Sequence, residues 1–172
     1  GIRDGLTTLL SALVKVKEIH WIRPFYLYPQ QITDKLLDLY AGEEKITKYI
    51  DMPLQHINDR MLKRMHRLGN RAAIDKLVDR IRTRIPGVAF RTAFIVGFPG
   101  ETEQAYQELK TYVTEREFDR VAVFLYSDEE DTTALALDEK IERAVMDERR
   151  NELLAIQEHI AAAQGQARIG SV

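Results

Sequence analysis

The 172-residue chain contains no cysteine. That absence excludes disulfides, a cysteine nucleophile, thiolate zinc sites and a cysteine-ligated iron–sulfur cluster within these residues. Long apolar runs are missing too. None approaches the roughly 18 residues a membrane helix needs, and no secretory signal pattern opens the chain. The cytoplasm is therefore the expected compartment, with no membrane partner. Neither sign of charge dominates: 25 Lys and Arg stand against 27 Asp and Glu, a net −2. General attraction to nucleic acid or acidic membranes is not expected from that balance, which leaves room for a local basic patch. There is no Gly-x-Gly-x-x-Gly, no Walker motif and no Gly-x-Ser-x-Gly elbow. The histidines His20, His56, His66 and His159 lie far apart without metal-ligand spacing, so no metal ligands are assigned.

Hydrophobic residues make up 45% of the chain and charged residues 30%. These proportions argue for a folded domain with a substantial core. Leu6, Leu9, Leu10, Leu13 and Val14 repeat at helical spacing, which predicts a helix from Leu6 to Val16. Ile19 to Tyr28 is aromatic and β-branched and reads as a strand, with Pro24 a defect that points to an edge or bulge. Thr33 can cap a helix carrying Leu36, Leu37 and Tyr40 that ends at Gly42.

Ile46 to Leu54 is the second predicted strand. Asn58 or Asp59 then caps a helix with Met61, Leu62 and Met65 inward, interrupted at Gly69. Asn70 offers a cap for a stripe of Ile74, Leu77, Val78, Ile81 and Ile85 that stops at Pro86-Gly87. Val88 to Val96 is the third strand, Thr102 to Arg116 a helix, and Asp119 to Tyr126 the fourth strand. Ser127 to Asp138 reads as a polar loop. A long helix from Ile141 to Ala163, with Leu153, Ile156, Ile160 and Ala163 on one face, precedes a frayed end from Gln164 to Val172. Strands alternating with helical crossovers define an α/β fold with a parallel sheet, either doubly wound or part of a (β/α) barrel.

Parallel strands gather their carboxyl ends at one rim, where ligands of such folds sit. Here the rim would hold Tyr28, Gln55, His56, Gly97, Phe98, Tyr126 and Ser127. The stretch Arg91–Glu101 ends its apolar run at Gly97 and turns through Phe98, Pro99 and Gly100. Without a Cβ, glycines in that turn allow close approach of a ligand; equally, the turn is a tight strand-to-helix connection. His56 has two readings of equal weight, a base or donor toward a ligand and a brace for the following turn. Tyr28 and Tyr126 suit stacking or packing. The acidic run Asp128-Glu129-Glu130-Asp131 lacks the glycine of a calcium loop and reads as solvated. The basic run Lys63-Arg64-Met65-His66-Arg67 could meet an acidic partner or RNA phosphates, but reads more readily as the wet face of a helix with its methionine in the core.

Taken together, these stretches resemble the radical S-adenosylmethionine (SAM) methylthiotransferases. The resemblance rests on Trp-Ile-Arg-x-x-Tyr-Leu-Tyr-Pro (Trp21 to Pro29), Tyr-Ile-Asp-Met-Pro-Leu-Gln-His (Tyr49 to His56) and Leu-Lys-Arg-Met (Leu62 to Met65). It extends through Ile-Pro-Gly (Ile85 to Gly87), the stretch Arg91–Glu101, Phe-Asp-Arg (Phe118 to Arg120) and Phe-x-Tyr-Ser (Phe124 to Ser127). The Pro-Leu-Gln-His form is similar to the branch that acts on a ribosomal-protein aspartate; the sister branch acts on tRNA adenosine.

The resemblance implies a four-strand portion of a partial (β/α)6 barrel, with residues 1–172 as part of the SAM domain. It implies S-adenosylmethionine as cofactor, bound near Gln55, His56, Ile95, Gly97, Phe98, Tyr126 and Ser127, and [4Fe–4S] clusters in the parent enzyme. The cluster's three-cysteine loop, the preceding domain and the following β-barrel domain are not in this sequence. Thr47 stands where many relatives carry cysteine, and Asp131 where a glycine is common. The expectation is a part of a ribosomal-protein methylthiotransferase that is inactive alone, with no catalytic residue assigned. The alternatives are the tRNA branch and a non-catalytic SAM- or partner-binding module. Open sheet edges would favour self-association.

Overall fold

The computed structural model describes residues 4 to 170. In chain order its main elements are α1 (Gly5–Leu13), α2 (Asp34–Gly42), β1 (Tyr49–Asp51), α3 (Asp59–Arg64), α4 (Arg71–Arg84), β2 (Ala89–Val96), α5 (Glu103–Arg116), β3 (Arg120–Leu125) and α6 (Arg143–Ala167). The strands form a three-stranded sheet of order β1-β2-β3. The chain divides into two interleaved compact units, Gly1–Met52 with Ala72–Phe90, and Pro53–Arg71 with Arg91–Val172.

The first unit buries Leu36, Leu37 and Tyr40 of α2, Ile46, Ile50 and Met52 around β1, and Ile74, Leu77, Val78 and Ile81 of α4. The α2 and α4 residues are the helical stripes the periodicity predicts. Thr33 caps α2, its Oγ1 accepting from Leu36 N at 3.2 Å. Arg80 and Arg84 of α4 pair with Asp34, and Arg84 also with Asp38.

The strand expected over Ile19 to Tyr28 is not one. It makes a single parallel bridge, Ile22 to Ile46, with Ile22 N donating to Lys45 O (2.6 Å) and Thr47 N to Ile22 O (2.9 Å). Pro24 has no N–H to continue the ladder. Tyr26 sits at φ 57°, and Asp51 takes the next two amides: Tyr26 N donates to its Oδ2 and Leu27 N to its carbonyl oxygen. The sheet accordingly has three strands rather than four. The predicted strand Ile46 to Leu54 shrinks to Tyr49–Asp51, and at its C-terminal end Pro53 cannot donate to continue it.

In the second unit β2 and β3 run parallel in the register Arg91↔Arg120 to Val96↔Leu125. Side chains at paired positions share a face. Thr92, Phe94, Val96 and Val121 lie on the face that packs into the core, where Phe94 and Tyr112 both meet Phe118. The other face carries Arg91, Ala93, Ile95, Arg120, Ala122 and Phe124, and Phe124 is 56% exposed. Asn58 caps α3 through Met61 N (3.2 Å), and Thr102 caps α5 through Ala105 N (3.2 Å).

Two expectations for α6 change. Its buried residues are Met146, Arg149, Leu153 and Gln157, whereas Ile156 and Ile160 are half-buried and Ala163 is exposed. Gln157 Nε2 donates to the carbonyl oxygens of Phe118 (3.2 Å) and Asp119 (3.3 Å), and Gln164 Nε2 to Glu117 O (2.9 Å). Polar residues face inward there because α5 ends in a left-handed turn at Glu117 (φ 45°) that leaves carbonyls to satisfy. The helix also continues through Ala167, beyond the predicted fraying point; of that predicted segment, residues 171 and 172 lie outside the described part. No described helix is long and apolar enough to cross a membrane.

Candidate functional site

The turn after β2 is held by charge. Gly97 and Gly100 adopt φ 76° and 82°, conformations that favour glycine. Gly97 N donates to Glu101 Oε2 at 2.8 Å, which closes the turn. Arg149 of α6 grips the same oxygen through Nη1 at 2.6 Å, reaches Glu101 O at 3.2 Å, and pairs through Nη2 with Glu103 at 3.0 Å. The other oxygen, Glu101 Oε1, lies 3.2 Å from His56 Nε2. His56 Nδ1 accepts from Ile57 N (2.9 Å) and Asn58 N (3.0 Å), so the proton sits on Nε2 and is donated to Glu101. All three side chains are buried, so the pair is screened little by water. Of the two readings of His56, the brace for the following turn is the one its hydrogen bonds describe.

The glycines make room for neighbouring side chains. A Cβ at Gly97 would come within 2.3 Å of Met146 Cγ, and one at Gly100 within 2.7 Å of Glu139 Oε2 and 2.9 Å of Arg64 Nε. Phe98 is buried against Met61 and Ala105, with Met65, Tyr126, Ala134 and Leu137 packed around it. Its ring meets Tyr126 edge-on at 5.1 Å.

The predicted loop Ser127 to Asp138 thus contains a strap. Ala134 of a short 3-10 helix (Thr133–Ala136) and Leu137 pack against the cluster of Met61, Phe98 and Ala105. The strap is tied down where Gly100 N donates to Glu139 O (2.9 Å) and where Arg60 and Arg64 pair with Glu139. Lys140 bonds Asp128, Tyr126 Oη and Ala134 O.

The remaining rim residues come together around β2. Gln55 N donates to Ala93 O and Ile95 N to Gln55 O, both at 2.9 Å, and Leu54 N donates to Thr92 Oγ1 at 3.3 Å. Gln55 itself takes φ 69°. Tyr126 N donates to Val96 O at 2.9 Å, which sets Tyr126 and Ser127 beside Gly97. Ile95 stands next to Phe124 in the register. Gln55, Ile95 and Tyr126 are half-buried and Ser127 exposed, whereas His56, Gly97 and Phe98 are buried. Tyr28 belongs to the other compact unit. Glu101, Phe124 and Arg149 escaped the sequence reading as site residues, although Phe124 lies inside a recognised motif.

Hydrogen bonds shift several acids nearby. Lys140, then Tyr126 Oη, holds the Asp128 carboxyl below its ordinary value. Gln107, then Arg149, does the same for Glu103. Lys110, then Tyr106 Oη, lowers Glu152, while burial, reinforced by Glu152, pushes the Tyr106 phenol well up.

The chain has counterparts among known proteins. The family model of the radical SAM superfamily matches residues 3–113, and the chain belongs to that superfamily. It is 47% identical over 171 residues to the ribosomal protein uS12 methylthiotransferase RimO of Syntrophotalea carbinolica, covering 98% of this chain and 38% of that protein. The RimO of Solibacter usitatus is 45% identical, with 99% and 37% covered. The chain therefore spans less than two-fifths of the length of these relatives. Among solved structures, Escherichia coli coproporphyrinogen III oxidase (HemN), a radical SAM enzyme, superposes with a TM-score of 0.60 at 21% identity, over 96% of this chain and 37% of that one. This likeness bears on the fold alone.

The superfamily implies an iron–sulfur cluster and SAM. The cluster does not fit: the chain has no thiolate, and no three His, Asp or Glu among the described residues converge as metal ligands. No cluster chemistry is therefore assigned to these residues. An adenosyl group does fit the donor set: half-buried Gln55 and Ile95, exposed Phe124, and the hydroxyls of Tyr126 and Ser127.

Proposed function

We propose that this chain is the adenosyl-binding part of a radical SAM methylthiotransferase that adds a methylthio group to an aspartate of a small-subunit ribosomal protein in the cytoplasm. In this reading the strands are a portion of a partial (β/α)6 barrel, and SAM lies at their carboxyl ends. Ile95 and Phe124 would bed the adenine, and the Gly97–Phe98 backbone would border it. Gln55, Tyr126 and Ser127 would supply hydrogen bonds, with His56 positioning the rim from behind through Glu101. When bound alongside a cluster, SAM supplies the radical that opens an unactivated C–H bond; this chain binds and orients.

The observation that carries the reading is the pairing of half-buried Ile95 with exposed Phe124 beside a turn closed by the Glu101 latch. Near-complete coverage of the chain by relatives named as uS12 methylthiotransferases supports the substrate class.

Calorimetric titration of the chain with S-adenosylhomocysteine tests it. Saturable binding is expected, weakened about tenfold by Phe124→Asp, which places a charge on the apolar bed. No binding, or binding indifferent to Phe124 and Ile95, would refute this placement. For the substrate, a longer enzyme that modifies tRNA and leaves the ribosomal protein untouched would replace this branch by its sister.

A further inference from the structure

The Trp21–Pro29 motif is given no role in the proposed adenosyl site, yet its geometry is specific. Trp21, Arg23 and Phe25 alternate along an extended segment and so share one face, while Ile22 between them bridges to Ile46. The Arg23 guanidinium carbon lies 5.3 Å from the Trp21 ring centroid, 5.0 Å from that of Phe25 and 5.2 Å from that of Tyr49. Phe25 and Tyr49 meet edge-on at 6.2 Å. These rings are not a core: Trp21 is 59% and Phe25 50% exposed, and neighbouring Tyr26, held at φ 57°, is 76% exposed. Apolar surface gathered in this way marks an interaction site rather than scattered exposure.

Arg23 is itself exposed, and among the described residues it has no carboxylate or other hydrogen-bond acceptor. Cation–π contacts use the attraction of the ring faces and leave N–H groups of the planar fork available. Three rings limit the side chain's freedom before any ligand arrives, which lowers the cost of binding. A free, oriented fork of this kind matches a carboxylate, which it can hold by two parallel charge-assisted hydrogen bonds.

We propose that Trp21, Arg23, Phe25 and Tyr49 form a receiving site for a protein segment bearing an aspartate or glutamate. The carboxylate sits on the Arg23 fork and the residues flanking it lie on the aromatic rings. The charge around the site favours a peptide carboxylate over a nucleic-acid backbone. A polyanion needs several cations in a stripe. Here Lys45 is bonded to Val16 O, Glu43 and Glu44 precede it in the chain, and the net charge is −2. The inference rests on the protein-substrate reading above for the source of the segment; the site itself rests on its own geometry.

Trp21 is the only tryptophan, so its fluorescence reports the site directly. The chain would be titrated with a blocked pentapeptide carrying one Asp, its Asn counterpart, inorganic phosphate and an oligouridine. A saturable change with the Asp peptide below about 10 mM is expected, with the Asn peptide at least about fivefold weaker. Arg23→Gln should abolish the preference, and Arg23→Lys, which keeps the charge without the fork, should reduce it. Circular dichroism of both variants controls for folding. Equal response to Asp and Asn peptides, tighter binding of phosphate or RNA, no saturable change, or self-association that Arg23→Gln removes would each overturn the proposal. S-adenosylhomocysteine binding is measured on the same samples. Its loss with the peptide response intact counts against the adenosyl reading alone.

Discussion

At the scale of single residues, Glu101 is the clearest case of a role that sequence cannot assign. In sequence it is only the last residue of the stretch Arg91–Glu101. Its partners are His56 and Arg149, 45 and 48 positions away, and together they bury a charge inside the second unit. Removing one member of a buried pair leaves the other charge without compensation. Glu101→Gln should therefore lower unfolding stability by about 3 kcal/mol in urea titrations. Gly97 answers to two constraints at once, a left-handed φ and the side chain of Met146. Gly97→Ala should cost about 2 kcal/mol or more, and adding Met146→Ala should recover only the steric part. Both constraints together explain why an alanine would not serve there.

At the scale of elements, the local signals were readable because they act within one turn of helix. Thr33 caps the helix expected of it, Asn58 rather than Asp59 caps α3, and Thr102, for which no cap was predicted, caps α5. Asn58→Ala should cost about 1 kcal/mol in the same assay. It also loses the bond from Asn58 Nδ2 to Glu108. The inward face of α6 was misread because Arg149 and Gln157 count as polar, yet they donate to backbone carbonyls and to the Glu101 carboxylate. Tyr106 and Lys110 of α5 reach Glu152 of α6, and Arg149 reaches Glu103. Both carboxyls have folded pKa values below the ordinary 4.5. A depressed carboxyl stabilises the fold above its unfolded value, and that contribution disappears as pH falls through the folded value. Melting temperature should hold above about pH 5 and drop below it. Glu152→Gln should flatten part of that fall; an unchanged slope would show that the α5–α6 contact carries no such charge.

At the scale of the whole molecule, the two compact units are interleaved along the chain, so no single cut separates them. Residues 91–172 alone contain β2 from Arg91, β3 and both long helices of their unit. They lack Gln55, which bonds Ala93 and Ile95, and His56, which braces Glu101. That piece should give no cooperative melt and little amide-exchange protection, while the 172-residue chain gives both. What the sequence alone determined is the alternation of helix and strand, the caps, the Gly-Phe-Pro-Gly turn and, through its motifs, the superfamily. Each of these depends on residues within a few positions of one another. Tertiary structure decided the rest: that Ile19 to Tyr28 bridges rather than ladders, that His56 points into a latch, and that Phe124 stays exposed beside half-buried Ile95. It also set three rings around Arg23. Those outcomes depend on which distant side chains and amides come within a few ångströms, and no local pattern encodes that distance.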